Sequence, residues 1–183
     1  ITNDATQSYS VTIDGLELGG TDSSKSDRGL GCNDDNGSDA ESVTVRIVRS
    51  KINYNSDSGI DAHDCILQVE SSIVSNNTKD GVKSDGKALT INTTNVFANG
   101  EVGIHSNDNS PYAITNNFLR GNGTVAGFPG VLLSGNSAGT FSFNTVTANG
   151  GALDIEGGVQ CSTGGVEKRN IEYSIVSGNS KKS

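Results

Sequence analysis

The sequence predicts an all-β solenoid in which short parallel strands stack coil upon coil. Three observations predict it: an asparagine that recurs at nearly even steps, apolar columns in register with it, and a composition that cannot fill a layered core. The asparagines are Asn55, Asn77, Asn99, Asn122, Asn149 and Asn179, at steps of 22, 22, 23, 27 and 30 residues. Repeat units of this length cannot bury an apolar face alone and do so by stacking on one another. The 183 residues are 32% hydrophobic, with 24 glycines and neither Trp nor Met, which suits a thin, repetitive core.

The apolar columns follow from the same register. Eight residues before each asparagine stand Ile47, Val69, Ile91, Ile114, Phe141 and Ile171. Three before stand Ile52, Val74, Val96, Leu119, Val146 and Val176. After each of the first five, usually behind a glycine, come Ile60, Val82, Ile104, Val131 and Leu153. Ile13, Leu18 and Leu30 extend the columns to an earlier, looser coil. Helical repeats need 3.6-spaced stripes, which are absent, and leucine-rich repeats need leucines at fixed offsets. Coils would lie ~4.8 Å apart, as strands do in a sheet. Asparagine suits the corner because it tolerates the left-handed conformation and its amide can bond backbone or the next asparagine.

One solenoid domain over 1–183 is expected, with about six to seven coils of ~22–30 residues. It comprises an irregular first coil with an acidic loop (11–42), regular coils (43–169) and an incomplete last coil (170–183). Residues 1–10 are expected over the N-terminal coil. The chain reads as part of a longer one, whose ends could stack on a partner or on a second copy. The pattern resembles the right-handed parallel β-helix of the pectate-lyase-like superfamily over nearly its whole length.

Charge narrows the partners. Acids outnumber bases 21 to 13, a formal charge of -8. That excludes a nucleic-acid surface, which needs a basic stripe, and a polyanionic ligand would require a local exception. No apolar run approaches the ~18 residues of a membrane span. Cys32, Cys65 and Cys161 match neither a zinc nor a CxxC pattern. Their count allows one disulfide with a free thiol or three buried thiols, and Cys32, in an inward column with Ala62, Ser84 and Ser106, reads as a core thiol. Sequons occur at Asn36, Asn76, Asn92 and Asn122, of which Asn76 and Asn122 belong to turns of the repeat.

Strand alternation then sorts the stretch Ser58–Cys65, "SGIDAHDC". With Ile60 inward, Asp61 and His63 point outward. One outer column reads Asp61, Lys83, His105, Leu132, Asp154, and its neighbour reads His63, Asp85, Asn107, Ser134, Glu156. Both histidines of the chain thus share a face with acids and a lysine between them, a grouping suited to general acid–base work. Asp61, His63, Asp85, Lys83 and His105 are the candidate catalytic residues, and Asn107, Asp154, Glu156 and Phe128 the candidate substrate contacts. A polar outer face is also what any solvated solenoid strand presents.

"GIDAHD" resembles the Tyr-Gly-(Phe/Ile)-Asp-Pro-His signature of mannuronan C5-epimerases, secreted β-helix enzymes that act on alginate. "DGVKSD", Asp80 to Asp85, is similar to the Asp-Gly-x-x-x-Asp that follows one coil later. The resemblance implies catalytic positions at Asp61, His63 and Asp85, and abstraction of the C5 proton beside a uronate carboxylate, followed by reprotonation or β-elimination. Ser58 stands where that family has Tyr, and Ala62 where it has Pro.

Elsewhere, Asp34, Asp35, Asp39 and Glu41 crowd one turn-rich loop, an oxygen-ligand density that suits Ca²⁺ or simply a solvated acidic loop. The longer coils after Asn122 and Asn149 grow loops on one side, where Phe128 and Tyr112 could stack on sugars. The sequence shows no Ser-His-Asp triad, phosphate loop or dinucleotide fingerprint. Two functions fit: a secreted or cell-surface module with a structural, adhesive or polysaccharide-binding role, or an epimerase- or lyase-type enzyme acting on a uronate polymer.

Overall fold

A computed structural model describes residues 2–3, 8–21, 27–34, 42–107, 110–125, 127–136, 138–150, 157–162 and 169–179. They form a parallel β-helix of three seven-stranded sheets. Sheet 1 stacks Thr2–Asn3, Leu30–Asp34, Ile60–His63, Val82–Asp85, Ile104–Asn107, Val131–Leu133 and Val159–Cys161. Sheet 2 begins with Tyr9–Asp14 and Val43–Val48 and ends with Arg169–Glu172; sheet 3 runs from Glu17–Gly19 to Ile175–Ser177. Each strand pairs in parallel with its counterpart one coil on, Ile47 opposite Val69 and Val69 opposite Ile91, for example.

The apolar columns line the lumen as the repeat requires. Ile47, Val69, Ile91, Ile114 and Phe141 are buried, as are Ile52, Val74, Val96, Leu119 and Val146. Ile13, Leu18 and Leu30 pair with Ile47, Ile52 and Ile60, so the loose first coil keeps register. Thr2–Asn3 pairs with Asn33–Asp34 and adds a strand to sheet 1. Of residues 1–10, Thr2–Asn3 stacks on Leu30–Asp34 and Tyr9–Ser10 opens the first strand of sheet 2; residues 1 and 4–7 lie outside the described residues.

The asparagine column forms a continuous hydrogen-bonded ladder. Asn55 Nδ2 donates to Asn77 Oδ1 at 2.8 Å, Asn77 to Asn99 at 2.8 Å, Asn99 to Asn122 at 2.9 Å, Asn122 to Asn149 at 2.9 Å, and Asn149 to Asn179 at 3.0 Å. The left-handed residue is not the asparagine but the one before it: Tyr54, Asn76, Ala98, Gly121, Ala148 or Gly178. That corner swings the following side chain into the coil, where its amide meets backbone and the next rung. Asn122 is buried in the ladder, so its sequon has no surface to present.

A second ladder runs five residues earlier. The backbone N–H of Ser50 donates to Ser72 Oγ, Ser72 to Thr94 Oγ1, Thr94 to Asn117 Oδ1, Asn117 to Asn144 Oδ1, and Asn144 to Ser174 Oγ. Three residue types share this column because each offers a short side-chain oxygen, which hid it from a search for one repeated letter.

Three further expectations change. Cys32 is bonded to Cys65 and is not a core thiol: Cys32 pairs in register with Ala62, and the inward turn after His63 brings Cys65 to it. Cys161, paired with Leu133, is exposed. Leu132 is opposite Gln160 and Val131 opposite Val159, so Asp154 and Glu156 do not continue the outer columns. The alternation in "LDIE" suggested the register, but the packing signal is a glycine against the ladder. Gly59, Gly81, Gly103 and Gly130 each lie where an added Cβ would meet the next coil's asparagine amide within 2.6–2.9 Å, and Gly158 takes that place in the fifth coil, its Cβ 3.2 Å from Asn179 Nδ2. Asp154 and Glu156 themselves lie outside the described residues.

Candidate functional site

The outer face of sheet 1 carries the site. Register stacks Asp61, Lys83, His105 and Leu132 in one column and His63, Asp85 and Asn107 in the next. The preceding connections stack as well: Lys79 N–H donates to Asp57 C=O and Glu101 N–H to Lys79 C=O. Residues of the strand column and of the connection column together line a cleft of about 410 Å³. Asp61, His63, Lys83 and His105 line it from the strands, and Phe128 from the longer coil after Asn122.

His63 lies between two carboxylates, Nε2 3.2 Å from Asp61 Oδ1 and Nδ1 3.2 Å from Asp85 Oδ2. A neutral imidazole has one N–H and can donate to one of them; only the imidazolium serves both. Lys83 Nζ also reaches Asp85 Oδ2, at 2.9 Å. Asp61 is only 7% exposed, and its Oδ1 accepts no aligned hydrogen bond although His63 is at ion-pair distance. A buried carboxylate oxygen without an aligned donor is costly, and Asp61, whose Oδ1 this is, is one of the residues that line the cleft.

Arg28 adds a cation, its guanidinium 3.7 Å from Asp61 Oδ2 and 3.5 Å from Asp57 Oδ2. Lys79 Nζ is 2.9 Å from Asp57 Oδ1. Burial works against the charge on Lys83, but its hydrogen bond to Asp85 and the charges of Asp85, Asp61 and Asp80 outweigh that and hold its pKa above the ordinary lysine value. The Lys79 hydrogen bond holds Asp57 below the ordinary carboxylate value. Glu101 is pushed up, by burial first and then by the negative charge of Asp80.

On the other wall, His105 Nδ1 is 3.4 Å from Asp80 Oδ2, while Asp80 Oδ1 accepts the Val102 N–H at 2.9 Å. The fold thus gathers all five predicted catalytic residues: four line the cleft, and Asp85 holds two of them from behind. Asn107 is bound to Ser134 beside the cleft, at 2.6 Å. Tyr112 is buried at 4%, with its phenol pushed up to about 12 by burial, so it is a core residue and no sugar platform. Asp34 ends a sheet 1 strand, and Asp35, Asp39 and Glu41 lie outside the described residues. Among the described residues no group of three or more His, Cys, Asp or Glu could hold a metal ion, and no helix is long and apolar enough to cross a membrane.

Arg28, Asp57, Lys79, Asp80 and Glu101 were not apparent as site residues from the strands alone. Asp57, Lys79 and Glu101 obey the same step of 22, so a column was visible; what hid it was its place in a connection, where alternation assigns no face.

Residues 28–183 match the family described as a right handed beta helix region. The chain belongs to that family. The right-handed superfamily expected from the repeat is the one observed. Among solved structures, the chain is similar to the mannuronan C-5 epimerase AlgE6 A-module of Azotobacter vinelandii, with 17% identity and a TM-score of 0.49 over 86% of this chain and 48% of that one. The β-helix chain therefore spans about half the length of that module. No curated protein matches its sequence.

Proposed function

We propose that this β-helix module is extracellular or on the cell surface and that its sheet 1 cleft carries out acid–base chemistry on a uronate polymer. The observation that carries the reading is His63 held between Asp61 and Asp85 at 3.2 Å on each side, at the wall of a cleft with Arg28 and Lys83 beside it. The two cations supply the local exception that a polyanion needs on a chain of net charge -8.

In this reading Lys83 and Arg28 balance the uronate carboxylate, which lets charge build up at C5. Asp85 orients the imidazole through Nδ1, leaving the Nε2 lone pair of neutral His63 to take the C5 proton. Return of a proton from water to the opposite face, with the His63 proton released to solvent, inverts C5. Loss of the C4 oxygen substituent as the C4=C5 bond forms, the leaving oxygen taking the proton from the His63 imidazolium, gives an unsaturated end. The Cys32–Cys65 disulfide supports an oxidising compartment.

A second reading has support of its own. Asp57, Asp61, Asp80 and Glu101 outnumber Arg28, Lys79 and Lys83 in the lining, and an imidazole engaged from both sides is a poor base. A polysaccharide-binding module without turnover, structural or adhesive, accounts for both facts. Incubation with alginate and polygalacturonate in D₂O decides, with deuterium at C5 followed by NMR and unsaturated ends by absorbance. Exchange in the wild type that is lost in His63→Ala supports the enzyme. No exchange in either protein, with the fold intact, leaves the binding module.

A further inference from the structure

The two ring nitrogens of His105 connect groups that the sequence keeps far apart. Nδ1 faces Asp80 Oδ2 at 3.4 Å, and Nε2 faces Ser134 Oγ at 3.3 Å. Asp80 is 5% exposed and anchored by the Val102 N–H; Ser134 is partly exposed, directly after the strand Val131–Leu133 and before a turn at Gly135 with φ of 65°. No motif search finds this set, because the three residues come from three successive coils in the order Asp, His, Ser.

We propose that Asp80, His105 and Ser134 form a second reactive centre, an acyl-transfer relay that hydrolyses ester substituents on a saccharide held at the cleft. Carboxylate, imidazole and hydroxyl in this order constitute an activated nucleophile wherever geometry allows, and such contacts run long before substrate binds. Asp80, a positioning residue, fixes the proton on Nδ1 so that Nε2 can accept one from Ser134. Oγ attacks the ester carbonyl carbon as its proton moves to Nε2. The C–O bond to the sugar then breaks, and the leaving oxygen takes that proton. Water, deprotonated by Nε2, attacks the acyl-serine, releasing the carboxylic acid and restoring the hydroxyl.

The Ser134 hydroxyl has other acceptors, Asn107 Oδ1 at 2.6 Å and Ser106 C=O at 3.4 Å. The Asn107 amide is two-faced: turned over, its Nδ2 donates to Oγ and directs the hydroxyl proton to His105.

The test uses the whole chain in a Cys161→Ser background, so that the exposed Cys161 thiol does not contribute, with a fluorophosphonate probe and p-nitrophenyl acetate. The expected result is probe on Ser134 by peptide mass mapping, and ester turnover lowered at least ~100-fold in Ser134→Ala and His105→Gln. Asp80→Asn is expected to lower kcat at unchanged KM, a split that a loosened fold would not give. If Ser134→Ala misfolds, Ser134→Cys takes its place, with alkylation at that position faster when His105 is present. Probe that never reaches Ser134, wild-type turnover in Ser134→Ala, or alkylation of Ser134→Cys indifferent to His105 overturns the proposal. Deuterium exchange at C5 is expected to survive Ser134→Ala, so the failure of either reading is visible apart from the other.

Discussion

The asparagine ladder and the sheet 1 cleft are both columns of residues about one coil apart, yet they are built on opposite terms. In the ladder one residue type repeats, the side chains are buried, and amide oxygens and nitrogens find partners above and below. In the cleft the column changes at every coil, Asp61 to Lys83 to His105 to Leu132, and a buried carboxylate oxygen has no aligned donor. A column that repeats satisfies itself; one that varies pairs unlike groups and leaves buried oxygens of Asp61 and Asp85 without an aligned donor.

Mutations can break or sharpen that contrast. The largest effect is expected in the ladder. Asn99 accepts from Asn77 and donates to Asn122 and to Val74 C=O, so Asn99→Ala leaves several buried groups unpaired and opens a void. A loss of about 3–4 kcal/mol in urea unfolding is expected. Next comes the Cys32–Cys65 link, which closes a separation of 33 residues. Cys32→Ser with Cys65→Ser is expected to cost about 3 kcal/mol, read as a fall in Tm that dithiothreitol reproduces in the wild type. Gly81→Ala would press a Cβ within 2.6 Å of Gly103 C=O and 2.8 Å of Asn99 Nδ2, for a loss of about 1–3 kcal/mol by the same unfolding assay.

The cleft should respond in the other sense. His63→Ala is expected to change stability by less than about 1 kcal/mol while C5 exchange falls at least ~100-fold; a stability loss as large as at Asn99 would make His63 a ladder-like residue instead. The smallest effect concerns Glu101. Its pKa in the fold is raised above the ordinary 4.5, so the native state holds its proton longer than the unfolded chain does. Stability therefore falls as pH climbs from the unfolded value through the folded one, and the penalty is complete above it. Glu101→Gln is expected to raise Tm slightly at pH 7–8 and to lose that advantage below pH ~4, checked by thermal melts across that range.

Much of this was readable before the chain was folded. The three apolar columns, the ladder positions and the adjacency of Asp61, Lys83 and His105 follow from a period near 22, and the structure keeps each register. Leu153 was misplaced because an insertion broke the count; Val159 holds its column place, and Gly158 against Asn179 carried the true register. The Ser/Thr/Asn ladder was hidden by chemical equivalence among three residue types.

By itself, the sequence determined how residues stack along the solenoid axis, because a repeated step admits few registers that bury every apolar column at once. The tertiary structure alone decided what happens between strands: that Arg28 and Glu101 close over the strand face, that Cys65 turns in to meet Cys32, and that Ser134 comes to His105. Those contacts depend on the direction a side chain takes from a corner or connection, and packing against neighbouring coils sets that direction where no periodicity does.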